Sequence, residues 1–285
     1  MAYTTLISAE ELHRNLDQED WVVMDCRFGL GNTEKGREEY LVSHIPGARY
    51  AHLDEDLSGP IIPGETGRHP LPDITSFAKQ LAHWGISNDT QVVAYDSMGG
   101  PFAARLWWML TWLGHENVAV LDGGFPAWQN KGYPTSDSLP QPAPASYTPS
   151  ANPNRTVSAD EVLNHLEHPA SVLIDARAEQ RFAGIHEPID PVAGHIPGAL
   201  SFPFKGNLTE NGFFKSVDQL KERFSALSQP SPGTKIVCYC GSGVTAAHNI
   251  LAMVHAGLPF PGMYAGSWSE WITDQNRPIS KNSGK

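Results

Sequence analysis

Apolar positions along the chain follow two patterns. Short runs rich in branched residues, WVVMD (21–25), QVVAYD (91–96) and NVAVLD (117–122), are too short for helices and predict buried strands. Longer segments carry an apolar residue every three or four positions. ITSFAKQLAHWG (74–85) and AARLWWMLTWLG (103–114) predict helices that stop at Gly85 and Gly114. The alternation returns later in the chain. SVLID (171–175), KIVCYC (235–240) and GMYA (262–265) predict strands, and VDQLKERFSAL (217–227) and VTAAHNILAMVHAG (244–257) predict helices. Strands alternating with helices predict an α/β fold of mostly parallel sheets flanked by helices, with chemistry at the carboxyl ends of the strands.

The pattern is written twice. WVVMDCR (21–27) is echoed by SVLIDAR (171–177), SHIPGARY (43–50) by GHIPGALS (194–201), VVAYD (92–96) by IVCYC (236–240), and DGGFPAWQ (122–129) by AGSWSEWI (265–272). A capping-box pair, Ser8 with Glu11, recurs as Ser158 with Glu161. The spacing between echoes is nearly constant and far longer than a solenoid period, so the chain is a duplicated domain. The expected boundaries are 1–136 and 156–285. The proline-rich stretch 137–155 lies between them as an extended, semi-rigid linker.

Composition narrows the class. A formal net charge of −11 and the absence of any basic run argue against a nucleic-acid partner. No apolar stretch reaches the length of a membrane span, so no membrane partner is expected. The opening MAYTTLISAEELHRNL lacks a basic region followed by an apolar one and does not read as a signal peptide. Three cysteines in 285 residues are no disulfide framework. These features together lead to the expectation of a cytoplasmic protein.

The chemistry concentrates in CYCGSGVTAA (238–247), where a strand meets a helix across a glycine-rich turn. A Cys-x-Cys pair without further ligands is a poor zinc site. Cys240 stands at the strand end, where backbone N–H groups of the turn and the positive end of the helix dipole favour an anion. A cysteine in that position is expected as a reactive thiolate. Cys238 lies within the apolar run and is expected to pack, as is Cys26. A cysteine phosphatase would need an arginine six positions on, and Ala246 stands there.

CGSGVTA (240–246) resembles the active-site loop of 3-mercaptopyruvate sulfurtransferases in the two-domain rhodanese family. The likeness covers nearly the whole chain through the twin HIPGA units, ARLWWML (104–110), DARAEQRF (175–182) and YAGSWSEW (264–271). It implies two tandem rhodanese-like domains, the first an inactive copy because Asp96 stands where Cys240 does. It also implies a sulfur relay. Cys240 takes sulfur from a small-molecule donor, 3-mercaptopyruvate or thiosulfate, and a thiol, cyanide or thioredoxin accepts it from the persulfide. No cofactor and no metal are implied. Gly241, Gly243, Val244 and Thr245 would form the cradle of the persulfide and donor.

Thiosulfate-specific members of the family resemble one another in carrying cations directly after the cysteine. Gly241 and Ser242 stand there, which favours mercaptopyruvate, with thiosulfate as the alternative donor and a non-catalytic binding module as the alternative class. Arg181 matches the family arginine that grips the donor's anionic end. A second arginine, usual shortly after it, is missing from AGIHEPIDPVAGHIPGA (183–199), and His186 is the nearest substitute. The resemblance further suggests a proton relay of Ser242, His69 and Asp54. Arg68 and Arg105 are further candidates for the same cleft. His44 and His195 occur in both halves, including the one without a thiol, and are expected to be structural.

Overall fold

The computed structural model describes residues 2–167, 171–227 and 235–281. The chain divides into two compact units. The first comprises Met1–Gly59, Pro72–Asn152 and Glu210–Phe214, and the second Pro60–Leu71, Pro153–Thr209 and Lys215–Lys285. The grouping is therefore not contiguous in sequence. Residues 60–71 join the second unit, where the Arg68 backbone N–H donates to Ser269 Oγ at 3.0 Å. Residues 210–214 join the first, where the Phe214 N–H donates to Asp122 Oδ1 at 2.8 Å.

The first unit runs β1 (Leu6–Ile7), α1 (Ala9–Asn15), β2 (Trp21–Asp25), α2 (Lys35–Val42), β3 (Arg49–Tyr50), α3 (Ile74–His83), β4 (Gln91–Tyr95), α4 (Pro101–Trp112), β5 (Val118–Leu121) and α5 (Gly124–Asn130). Its sheet has the order β1-β5-β4-β2-β3, and every pair is parallel. The second unit runs α6 (Ala159–Glu167), β6 (Ser171–Asp175), α7 (Glu179–Phe182), β7 (Leu200–Ser201), α8 (Val217–Phe224), β8 (Lys235–Tyr239), α9 (Thr245–His255), β9 (Gly262–Met263) and α10 (Ser267–Trp271). Its sheet, again parallel throughout the described residues, has the order β7-β6-β8-β9. Parallel strands covered on both faces need near-continuous apolar sequence, and β4 is buried at all five positions.

The duplication extends to atoms. Both capping boxes form, Ser8 with Glu11 and Ser158 with Glu161. In each unit an aspartate at the end of the strand holds the arginine two residues on through a buried fork, Asp25 with Arg27 and Asp175 with Arg177. His44 and His195 are structural, as expected. His44 Nδ1 lies 2.7 Å from the Tyr40 carbonyl and His195 Nδ1 lies 2.8 Å from the Phe182 carbonyl. Their backbones bridge to Ser136 and Ser280.

The proline-rich stretch is extended and tied down. Ala145 donates to the Ala82 carbonyl, Ser150 to Leu113 and Asn152 to Trp112, all within the first unit. The helix α2 gave no apolar signal in the sequence because its buried face is little more than Gly36 and Tyr40. Gly36 sits so close to the backbone that a Cβ there would fall 1.8 Å from the Arg27 carbonyl oxygen. No helix among the described residues is long and apolar enough to cross a membrane.

Candidate active site

The site belongs to the second unit and is built where β8 hands over to α9. Cys240 directly follows the strand and is only 2% exposed. Its backbone is fixed from the facing turn. The Cys240 N–H donates to Ser267 Oγ at 3.0 Å, and its carbonyl accepts the Trp268 N–H at 2.9 Å. The next carbonyl, of Gly241, accepts the Ser269 N–H at 2.9 Å. The start of α10 thus holds two consecutive residues of the loop in place.

Ser267 sustains this at a cost. Its φ is +56°, and among the described residues no other non-glycine has a positive φ. Such a backbone disfavours a side chain by roughly 1–2 kcal/mol. The side chain is retained because it does two things, accepting from the Cys240 N–H and donating to the Tyr264 carbonyl at 2.9 Å.

Within the loop, Gly243 has φ +76°, a conformation that needs glycine, and its N–H donates to Cys240 Sγ at 3.2 Å. One N–H of the turn that the sequence reads as a cradle thus reaches the sulfur. Helix α9 then starts at Thr245, and Val244 at its N-cap supplies no side-chain hydrogen bond. The first N–H groups of a helix lack intrahelical partners, which leaves this end suited to an anion. Burial pushes the thiol of Cys238 up, and does the same to Cys26, so both pack as expected.

Ser242 follows, with Oγ 2.7 Å from His69 Nδ1 and both residues buried. The structure therefore pairs His69 with Ser242, two residues after Cys240, although His69 comes from a segment more than 170 residues away. Asp54 lies in the first unit, where its N–H donates to His52 Nδ1 at 3.2 Å. Arg105 is also in the first unit, fully buried in α4, and donates to the Leu57 carbonyl.

Two guanidiniums close over Gly241. A Cβ added there would lie 2.9 Å from Arg68 Nη2, 3.4 Å from Arg181 Nη2 and 3.5 Å from Arg181 Nη1. Arg181 was expected. The second cation is Arg68, whereas His186 is exposed on the turn after α7. A second guanidinium thus stands beside Gly241, and it comes from the segment before α3.

Both arginines are held by carboxylates that the sequence reading did not single out. Asp190 bridges them, with Oδ1 on Arg68 Nη1 and Oδ2 2.8 Å from Arg181 Nη2. Glu187 takes the Arg181 Nε on both oxygens, at 2.8 and 2.9 Å, and also reaches Arg177. Both carboxylate side chains are 2% exposed. Burial raises the Asp190 carboxyl above the usual range, against the pull of Arg68 and Arg181. Burial works the same way on Glu187, but hydrogen bonds from Arg181 and from the Asp190 and Ile189 N–H groups hold it below its ordinary value. The available signal was HEPID (186–190), two acids shortly after EQRF.

Comparison with known proteins identifies the family. The model of the rhodanese-like domain matches the chain twice, over residues 8–131 and 158–274. A probable 3-mercaptopyruvate sulfurtransferase of Pseudomonas aeruginosa is 46% identical over 281 residues, covering 98% of this chain and 99% of that protein. The thiosulfate sulfurtransferase of Bos taurus is 36% identical, covering 88% of this chain and 84% of that one. Among solved structures, the 3-mercaptopyruvate sulfurtransferase from Leishmania major superposes with a TM-score of 0.84 at 30% identity, covering 97% of this chain and 76% of that one. SseA from Escherichia coli, a 3-mercaptopyruvate sulfotransferase, gives 0.82 at 31% identity, covering 94% of this chain and all of that one.

Proposed function

The chain belongs to the rhodanese family, with two copies of its domain, and from that premise we propose that it is a sulfurtransferase using 3-mercaptopyruvate as donor. Cys240 is the nucleophile, and a thiol, cyanide or thioredoxin is the acceptor. The observation that carries this reading is the arrangement around one turn. Cys240 Sγ accepts the Gly243 N–H, two guanidiniums flank Gly241, and the Ser242–His69 pair stands next in the chain.

The chemistry follows from those positions. The Cys240 thiolate attacks the donor sulfur. The carbon–sulfur bond breaks, and its electron pair leaves as the enolate of pyruvate. A proton delivered to the enolate carbon completes pyruvate, and Cys240 is left as a persulfide. The Gly243 N–H faces the sulfur that changes charge. Ser242, hydrogen-bonded to His69, is the nearby hydroxyl for the proton step. An acceptor thiolate or cyanide then attacks the outer sulfur and returns Cys240 to its thiolate. Val244 and Thr245 complete the rim at the start of α9. The first copy, with Asp96 in place of the cysteine, carries no transfer, and the two copies fall at 1–136 and 156–285 with the proline-rich stretch between.

The test is a steady-state comparison of donors. Mercaptopyruvate should exceed thiosulfate in kcat/KM, and the protein treated with mercaptopyruvate alone should gain one sulfur atom in mass, lost in a Cys240→Ser variant. A thiosulfate preference would reassign the donor. A mass gain that persists in the variant would remove Cys240 as nucleophile.

A further inference from the structure

Arg68 and Arg181 approach the same glycine from different parts of the chain, and neither is a loose surface cation. Arg68 is fixed at its backbone by Ser269 and at Nη1 by Asp190, which leaves Nη2 as the atom nearest Gly241. Arg181 is fixed at Nε by Glu187 and at Nη2 by Asp190, with Nη1 turned to the same side of the glycine. A guanidinium whose other donors are engaged is pre-organised, and loses little freedom when it binds. The space beside Gly241 adjoins the loop that carries Cys240, and only a residue without a side chain keeps it open.

Apart from the Cys240 thiolate of the proposed mechanism, the side-chain charges around this space cancel. Arg68 and Arg181 face Asp190 and Glu187, two cations against two carboxylates, while Arg177 is already forked onto Asp175. A site with balanced charge still offers N–H donors to an anion. A monoanion adds one uncompensated charge there and a dianion adds two, in partly buried surroundings where each costs dearly. Discrimination between donors can thus come from repulsion as well as attraction.

We infer that Arg68 is the second guanidinium that holds the donor's carboxylate, and that Asp190 and Glu187, by balancing the arginine pair, set the site for a monoanionic keto acid over dianionic thiosulfate. The inference deepens the donor reading above and rests on it. It places the second donor-binding cation in the segment before α3, away from the stretch after Arg181.

The experiment compares wild type with Arg68→Gln, Arg68→Lys and Asp190→Asn. In a relay, kcat/KM for the donor reports the steps from free enzyme to persulfide, and kcat/KM for the acceptor reports the steps after pyruvate has left. Loss of one charge-assisted contact is worth about 10- to 100-fold. Arg68→Gln should therefore lower kcat/KM for mercaptopyruvate by that factor and leave kcat/KM for cyanide unchanged. Arg68→Lys, which keeps the charge but not the planar fork, should fall between the two. Asp190→Asn should raise the thiosulfate-to-mercaptopyruvate ratio by about tenfold, since it uncovers one positive charge.

Unchanged mercaptopyruvate kcat/KM in Arg68→Gln overturns the assignment of Arg68. Equal loss in the donor and acceptor parameters also overturns it, because that is the mark of a merely structural residue. An unchanged donor ratio in Asp190→Asn overturns the charge-balance argument. A wild type that prefers thiosulfate overturns the donor reading itself, before any variant is considered.

Discussion

After β4, Asp96 turns its carboxylate inward and accepts four backbone N–H groups, from Met98 at 2.8 Å, Gly100 at 2.9 Å, Phe102 at 2.9 Å and Ala103 at 3.1 Å. After β8, Cys240 occupies the matching place, with the Gly243 N–H on its sulfur. The two turns have the same length, since α4 begins five residues after Asp96 and α9 five residues after Cys240. Each turn is clamped by the next helix in the same way. The Asp96 carbonyl accepts the Phe125 N–H, as the Cys240 carbonyl accepts that of Trp268. The same backbone device therefore presents four N–H groups to the Asp96 carboxylate in the first copy and the Gly243 N–H to the sulfur in the second. In the first, a fixed carboxylate fills that point and caps α4. In the second, the Cys240 sulfur sits there, and in the proposed mechanism it gains and loses a second sulfur atom. The difference lies in the occupant and hardly at all in the frame.

Exchanging the occupants tests this directly. Cys240→Asp gives the second turn the residue of the first, and turnover should fall to the background of buffer with no mass gain from mercaptopyruvate. Any persulfide found in that variant would mean that sulfur is carried elsewhere in the chain. In the other direction, Asp96→Asn removes the charge and puts an amide NH2 among N–H donors. The remaining carbonyl oxygen has two lone pairs for four donors, so about two buried groups lose their partner at ~1–3 kcal/mol each. Burial already raises the Asp96 carboxyl, against the N–H groups that hold it down. The expected loss is about 2–5 kcal/mol, read as a lower urea midpoint for the transition that includes the first unit. An unchanged midpoint would show that the four contacts contribute nothing net, and the idea of a filled cradle would fail.

The frame was legible in the sequence and the occupants partly so. Strand runs such as QVVAY and SVLID are buried on both faces, and this burial makes them apolar without a break. The Cys240 turn could be read because its glycines stand between a strand and a helix. His69 and Ser242 could be paired only by resemblance, since 173 residues separate them and no local pattern records the contact. Arg68 was harder still. It reaches Gly241 because residues 60–71 pack on the start of α10, a tertiary fact with no periodic trace. Asp190 and Glu187 read as ordinary loop acids until the arginines they hold are seen. Ser267 was quoted within a motif, yet its strained φ is invisible in a string of letters.

That strained serine offers the finest contrast between the copies. The repeat that aligns Trp128 with Trp271 aligns Gly124 with Ser267, and the two backbones match, with φ +58° and +56°. In the first unit a Cβ would fall 2.1 Å from the Asp96 carbonyl oxygen, so only glycine fits. In the second unit a side chain is accommodated, and its hydroxyl takes the Cys240 N–H. Two substitutions separate strain from hydrogen bonding. Ser267→Ala loses both hydroxyl contacts and keeps the unfavourable φ, for a loss of about 2–3 kcal/mol. Ser267→Gly loses the same contacts but relieves the backbone, which returns about 1 kcal/mol. Urea melts should therefore rank wild type above Ser267→Gly, and Ser267→Gly above Ser267→Ala. Both variants should slow persulfide formation by a few-fold at most, because the Trp268 and Ser269 N–H groups still hold the turn. If glycine proves no better than alanine, the serine is unstrained in solution. The first copy's glycine would then be explained by its crowding against Asp96 alone.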